Sequence, residues 1–182
     1  MNPAEYQKLI EQDLQDGYSG FNFHHFYTTV AAVKDFSTYV EVGCFKGFSV
    51  AHLATQLAKR PGTKIYAVDL WTMTDDMLLR WSPQHQQLKD DSTALWGRFD
   101  RLIPPHQLLY DIYNANLQQR AIRYLVTDLR GDSSEMANHF ANASVDFVFI
   151  DANHSYDSVK RDIIAWQPKV RSGGIIAGHD YS

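Results

Sequence analysis

Apolar residues along this chain gather into two kinds of run, and the two kinds alternate. Short runs rich in β-branched and aromatic residues lie at 39–42, 64–71, 122–129, 145–150 and 175–178. Apolar stretches of that length between breakers predict strands, and the run at 64–71 has the near-continuous character of a strand buried in a parallel sheet. Between them the spacing changes to that of a helix. Val50, Leu53, Ala54 and Leu57 fall at i, i+3, i+4 and i+7, and Lys59-Arg60-Pro61-Gly62 then supplies a cationic last turn and two breakers. Leu108, Leu109, Ile112, Tyr113 and Leu117 mark a second stripe over 106–119; Tyr156, Val159 and Ile163 mark another, after Ser155 as N-cap. Gln167-Pro168 and the 171–174 segment break that last helix before the fifth strand.

Two stretches stand outside this alternation. Tyr6, Leu9, Ile10 and Asp13 predict a short amphipathic helix over 4–14, ended by Asp16-Gly17, and the aromatic 21–27 segment predicts a helix on the sheet edge or a cap over the site. Residues 72–105 interrupt the strand-helix rhythm with Trp81, Trp96, the acid pairs Asp75-Asp76 and Asp90-Asp91, and Pro104-Pro105. An insertion after the second strand is placed at the carboxyl edge, where it would act as a lid or acceptor pocket.

Composition narrows the class. The chain has 182 residues, 45% of them hydrophobic and 13% aromatic, which suits one folded domain over 1–182 with a substantial core. A formal net charge of −4, with Lys and Arg scattered, gives no general attraction to nucleic acid or an anionic membrane. No apolar run approaches membrane-spanning length and no basic leader opens the chain, so a soluble, cytoplasmic protein with a small-molecule partner is expected. The single cysteine, Cys44, excludes an internal disulfide and reads as a small buried residue.

The candidate chemistry lies at the ends of the predicted strands. The first run ends in Glu41-Val42-Gly43-Cys44-Phe45-Lys46-Gly47-Phe48-Ser49 and opens into a helix. Such a strand-turn-helix faces backbone N–H groups and the positive end of the macrodipole toward a crevice, where a nucleotide-like cofactor would sit. A dinucleotide fingerprint needs a second glycine where Phe45 stands, and Lys46-Gly47-Phe48 is not a Walker loop. Glu-x-Gly-x-x-x-Gly instead resembles the first motif of class I S-adenosylmethionine (SAM) methyltransferases. That resemblance implies that Glu41, Gly43, Gly47 and Ser49 line the methionine part of the cofactor.

Asp69 follows Gly43 by 26 positions at the end of the second run, where an ionised carboxylate offers acceptors to both ribose hydroxyls; the simple alternative is an acid capping its own turn. Asp132 and Ser133 begin the helix after the third run and suit either a helix cap or the edge of an adenine. Asp151 and His154 follow the fourth run, and His179 and Asp180 the fifth. Two strand tips that each carry an acid and a histidine are hard to explain as packing.

The 149–156 segment Phe-Ile-Asp-Ala-Asn-His-Ser-Tyr, then Asp162, Trp166-Gln167-Pro168, and the 173–181 segment Gly-Gly-Ile-Ile-Ala-Gly-His-Asp-Tyr resemble small-molecule O-methyltransferases. The resemblance is to those related to the macrocin and mycinamicin sugar methyltransferases and to the cephalosporin-hydroxylase-like group. The resemblance implies an α/β fold, a Rossmann-like SAM-methyltransferase sheet of parallel strands in the order 3-2-1-4-5 with helices on both faces. It implies SAM as cofactor, Asp151 also near the cofactor, and Asp151, His179 and Asp180 around a divalent cation, with Mg²⁺ first. His154, with Asp151, would then be catalytic, His154 as the base. Where several relatives have two consecutive acids this chain has His179-Asp180, which leaves room for a softer ion or no metal. The reaction implied is methyl transfer to a hydroxyl of a sugar or other small polar acceptor; a non-catalytic SAM- or nucleotide-binding module and a cephalosporin-hydroxylase-like chemistry are the alternatives. Relatives continue with antiparallel sixth and seventh strands that this sequence lacks, so the fifth strand is expected to be a bare edge, through truncation or covered by a two-fold homodimer.

Overall fold

All five predicted strands form. In the computed structural model, which describes residues 24–72 and 105–179 together with positions 4, 7, 8, 10 and 11, they are β1 (Thr38–Val42), β2 (Lys64–Asp69), β3 (Val126–Arg130), β4 (Val145–Ile150) and β5 (Val170–Gly178). Every pairing is parallel and the order is β3-β2-β1-β4-β5, as the motifs imply. In that order the chain reverses its direction of travel between β1 and β4, and a crevice opens outside their carboxyl ends.

Helices cover both faces because each central strand presents apolar side chains to both. On one face Tyr39, Ile65, Ala67, Val126, Phe147 and Phe149 meet three helices: α1 (His24–Ala32), α2 (Phe48–Leu57) and α3 (Pro105–Gln119). On the other, Val40, Val42, Val68, Val148 and Ile150 pack with the two helices that follow β3 and β4, α4 (Ser133–Met136) and α5 (Tyr156–Trp166). β4 is buried along its whole length, which explains why its sequence shows no alternation.

Four local expectations are corrected. First, α1 does not sit on the sheet edge: Tyr27, fully buried, packs its ring on Phe147 and Phe149 of the interior strand β4. Second, residues Arg123–Leu125 form a single 3₁₀ turn rather than the start of the third strand. Third, the 171–174 segment does not precede β5 but lies within it. Val170 pairs with Val145 and Ile175 with Phe147, so four residues bulge opposite one. The bulge brings Arg171 onto Asp146, whose carboxylate also accepts from the Ser37 and Thr38 amides at 2.8 Å each. Fourth, Tyr156 is exposed, and the buried side of α5 is formed by Asp162 and Trp166.

The described N-terminal positions are helical, with Ile10 buried, within the expected first helix. The lid expected at 72–105, with its tryptophans and acid pairs, lies almost entirely outside the described residues. Among the described residues no helix is long and apolar enough to cross a membrane.

Candidate functional site

The turn after β1 is tied to both neighbouring strands. The Gly43 amide donates to the Val68 carbonyl (2.8 Å) and the Asp151 amide to the Val42 carbonyl (2.7 Å). Gly43 has φ +87°, and a Cβ there would lie 2.1 Å from the carbonyl oxygen of Asp151. Glycine is required at that point because the β4 tip passes directly against the turn. Gly47, with φ +78°, ends the turn; a Cβ on it would stand 2.6 Å from the Tyr113 ring. It is also the N-cap of α2 and offers no side-chain acceptor to the first helical turn. A ligand carboxylate placed there would complement the orphan donors and the macrodipole.

Asp69 reaches back into this turn. One carboxylate oxygen accepts from the Cys44 and Phe45 amides at 2.7 and 2.8 Å, and the other from the Trp71 amide at 2.6 Å. Burial pushes its carboxyl above the ordinary value, against those amides, which favour the charged form. Asp69 is therefore first the acceptor that shapes the glycine turn.

Glu41, buried, and Ser49, half-buried, are hydrogen-bonded to each other. Glu41 is 1% exposed; one of its oxygens accepts from Tyr27 Oη at 2.8 Å and the other is hydrogen-bonded to Ser49 Oγ. Burial raises its pKa to about 8, against the two hydroxyl hydrogen bonds. Cys44 is buried beside it, its thiol directed at the Glu41 and Val68 carbonyls and held well above its ordinary pKa by desolvation, so it is no nucleophile.

Asp132 caps α4, accepting from the Ser134 amide (3.0 Å) and hydroxyl (2.5 Å), with Arg161 at 3.4 Å. The Ser134 hydrogen bonds hold its carboxyl below the usual range. The Ser133 hydroxyl accepts from the indole N–H of the buried Trp166 (2.9 Å). Both residues thus serve the α4–α5 contact, and the helix-cap reading describes the geometry of Asp132.

The tips of β4 and β5 bring Asp151, His154 and His179 together. Asp151 Oδ1 lies 3.3 Å from His179 Nδ1 and 3.9 Å from His154 Nε2. His154 is the most open of the three, with 53% of its side chain exposed against 33% for His179 and 25% for Asp151. A cavity of about 210 Å³ adjoins them, walled by Ile150, Val159, Ile163 and Ile176. Asp180, the remaining expected metal ligand, lies outside the described residues. Among those described, no group of three or more His, Cys, Asp or Glu side chains is arranged to hold a metal ion. One carboxylate and imidazoles are also a poor match for Mg²⁺, which prefers an all-oxygen set.

The sequence reading missed three contributors. Tyr27 enters through the partner of Glu41. The Trp71 indole, fully buried, donates to the Phe45 carbonyl (3.2 Å) and steadies the turn from the β2 side. Asp128 on β3 accepts from Tyr110 and Tyr113 Oη at 2.8 and 2.7 Å and pairs with Arg123, holding the ring that packs on Gly47. An acid within an apolar strand was the available signal for Asp128; the tyrosine pair three apart on α3 was the other half.

A family model described as a methyltransferase domain matches residues 40–181. No curated protein matches the chain. Among solved structures, the chain is similar to cofactor-bound Rv0187 from MTB, at 17% identity and TM-score 0.55, covering 97% of this chain and 64% of that one. It is similar to the O-methyltransferase TomG from Streptomyces achromogenes in complex with SAM, at 15% identity and TM-score 0.50, covering 84% of this chain and 52% of TomG. It is also similar to a precorrin 8w decarboxylase from Methanobacterium thermoautotrophicum, at 17% identity and TM-score 0.53, covering 88% and 62%. The chain spans between about half and two thirds of these proteins' lengths. At such identities the likeness is one of fold, and the different chemistries of the last two show how little the fold says of the acceptor.

Proposed function

Because the chain belongs to the methyltransferase-domain family, we propose that it binds SAM across the tips of β1, β2 and β4 and transfers the methyl group to a hydroxyl of a sugar or other small polar acceptor. The observation that carries this reading is the contact of the Asp151 carbonyl with Gly43. Through it the acid-histidine cluster of Asp151, His154 and His179 stands directly beside the glycine turn.

When bound, SAM supplies an electrophilic methyl group on a sulfonium. The residues of the chain then divide the remaining work. Gly43, Gly47 and the first turn of α2 receive the methionine end, and the remaining acceptor capacity of Asp69 meets the ribose. Asp132 and Ser133 border the adenine. His154 would take the proton of the acceptor hydroxyl as its oxygen takes the methyl carbon from sulfur, the neutral thioether leaving, and Asp151 would stabilise the imidazolium that results. The finer claim of a divalent cation rests on Asp180 joining Asp151 and His179, a mixed set that favours a transition ion over Mg²⁺. No step above depends on it.

Calorimetry with SAM, followed by a methyl-transfer screen over hydroxylated small acceptors with and without EDTA, tests the whole reading. Binding with turnover supports it, and activity retained in EDTA removes the cation. Binding without turnover reduces the chain to a SAM-binding module, and the absence of binding overturns the proposal.

A further inference from the structure

Tyr27, Glu41 and Ser49 link three elements through one buried carboxyl group. Tyr27 comes from α1, Glu41 from the middle of the core as part of β1, and Ser49 from the first turn of α2. Glu41 is 1% exposed and Tyr27 fully buried, while Ser49 is half-buried at the turn. The two carboxyl oxygens are used by one hydroxyl each, and among the described residues no cation meets them. Among the described residues, the titratable groups that face Glu41 from the surrounding elements are Tyr27 on α1, Cys44 in the turn, Asp69 at the tip of β2 and Asp151 at the tip of β4. None of these is a cation. An ionised carboxylate in such a place has two hydroxyl donors and, among the described residues, no cation to offset its desolvation, whereas a protonated carboxyl is satisfied by the same two hydroxyls.

The proton count then settles the direction of the chain of hydrogen bonds. With Glu41 protonated, Tyr27 donates to one oxygen and the acid O–H donates to Ser49 Oγ, so the Ser49 hydrogen is available to point outward. With Glu41 ionised, both hydroxyls donate inward to the carboxylate. We propose that Tyr27, Glu41 and Ser49 form a proton-gated relay in which protonated Glu41 turns the Ser49 hydroxyl toward a ligand carboxylate at the N-terminus of α2, and ionised Glu41 withdraws it. Glu41 and Tyr27 are positioning residues that act through Ser49. The proposal rests on the methyltransferase reading, since the ligand carboxylate is that of SAM or its demethylated product.

Two measurements on the whole chain test it. In the protein labelled at the glutamate side-chain carboxyl carbon, NMR is expected to show one carboxyl that remains protonated below about pH 8 and is missing from Glu41→Gln. If every glutamate titrates in the ordinary range, the relay is overturned. Calorimetry with S-adenosylhomocysteine at about pH 6.5 and about pH 9.5 is the second. The Kd of the wild type should weaken with rising pH at least about fivefold more than that of Glu41→Gln, whose carboxamide mimics the protonated acid. That comparison removes the ligand's own amino group, which titrates near ~8 in both proteins. Ser49→Ala should bind more weakly at low pH with the shallow slope of the glutamine variant, which keeps the test decisive where Glu41→Gln does not fold. Equal slopes in wild type and variants overturn the relay and leave the cofactor reading standing. Loss of binding in the wild type at both pH values overturns the cofactor reading itself.

Discussion

Single residues in this protein often hold two positions at once, and their substitution should show it. Asp69 is the clearest case: the sequence places it for ribose, and the structure shows its oxygens accepting from three amides of its own turn and the next. Asp69→Ala is therefore expected to weaken SAM binding and also to cost roughly 1–3 kcal/mol of stability by orphaning those donors. Calorimetry and urea unfolding read the two effects separately; weakened binding at unchanged stability would return the residue to a purely ligand-binding role. Gly43→Ala should cost roughly 3 kcal/mol or more, because the methyl collides with the Asp151 carbonyl at a positive φ. A variant as stable as wild type in the same unfolding experiment would contradict the close approach. His154→Ala is expected to lower kcat by about 10²–10⁴ with SAM affinity within about twofold of wild type. Equal loss of both would make the imidazole structural.

Among the elements, β5 departs most from its sequence pattern, and the reason is electrostatic. The bulge at 171–174 carries Arg171 to Asp146, where the guanidinium pairs with a carboxylate that is 8% exposed and also reaches the Asp35 carbonyl (3.3 Å). The clasp joins the start of β4, the start of β5 and the loop before β1. Burial works against the charge on Asp146, yet the Ser37 and Thr38 amides and Arg171 together hold its carboxyl below the ordinary value. A depressed acid stabilises the fold above its unfolded pKa of about 3.9, and that contribution is lost as pH falls through the lower folded value. Asp146→Asn should therefore lose roughly 2 kcal/mol at neutral pH, discounted for the partly exposed Arg171. The gap to wild type should start to narrow as pH falls below about 3.9 and close below the lower folded value, measured by unfolding at several pH values. A gap that persists undiminished in acid would assign the loss to packing.

For the whole molecule, the open question is the β5 edge. In the observed order β5 is terminal, and Ile175 and Ile176 are each 37% exposed, Ile176 lining one cavity with Ile163 of α5. An apolar strand whose outer edge is unpaired among the described residues favours association with a second copy, and a two-fold axis lets the same edge meet itself. The homodimer proposed on this ground should appear by light scattering at micromolar concentration, and Ile176→Lys should shift it toward monomer. A wild type that stays monomeric at high micromolar concentration would remove the argument.

What the sequence by itself determined follows from periodicity and from strongly local chemistry. Short apolar runs between breakers and stripes of period 3.6 identify the strands and long helices, because burial in a sheet or along a helix stripe is written into neighbouring residues. The Gly43 and Gly47 turn, the Asp132 and Ser155 caps and the placement of Asp151, His154 and His179 at strand tips were legible in the same way, each set by a few adjacent positions. Only the tertiary structure decided what depends on residues far apart in the chain. Tyr27 joins Glu41 across 14 positions, Asp69 turns back on amides 24 and 25 positions away, and Arg171, in the bulge of β5, reaches Asp146 across 25. Each is a polar group whose partner is selected by desolvation: once buried, it must find the nearest complementary atom that the fold supplies, and no local pattern names that atom in advance.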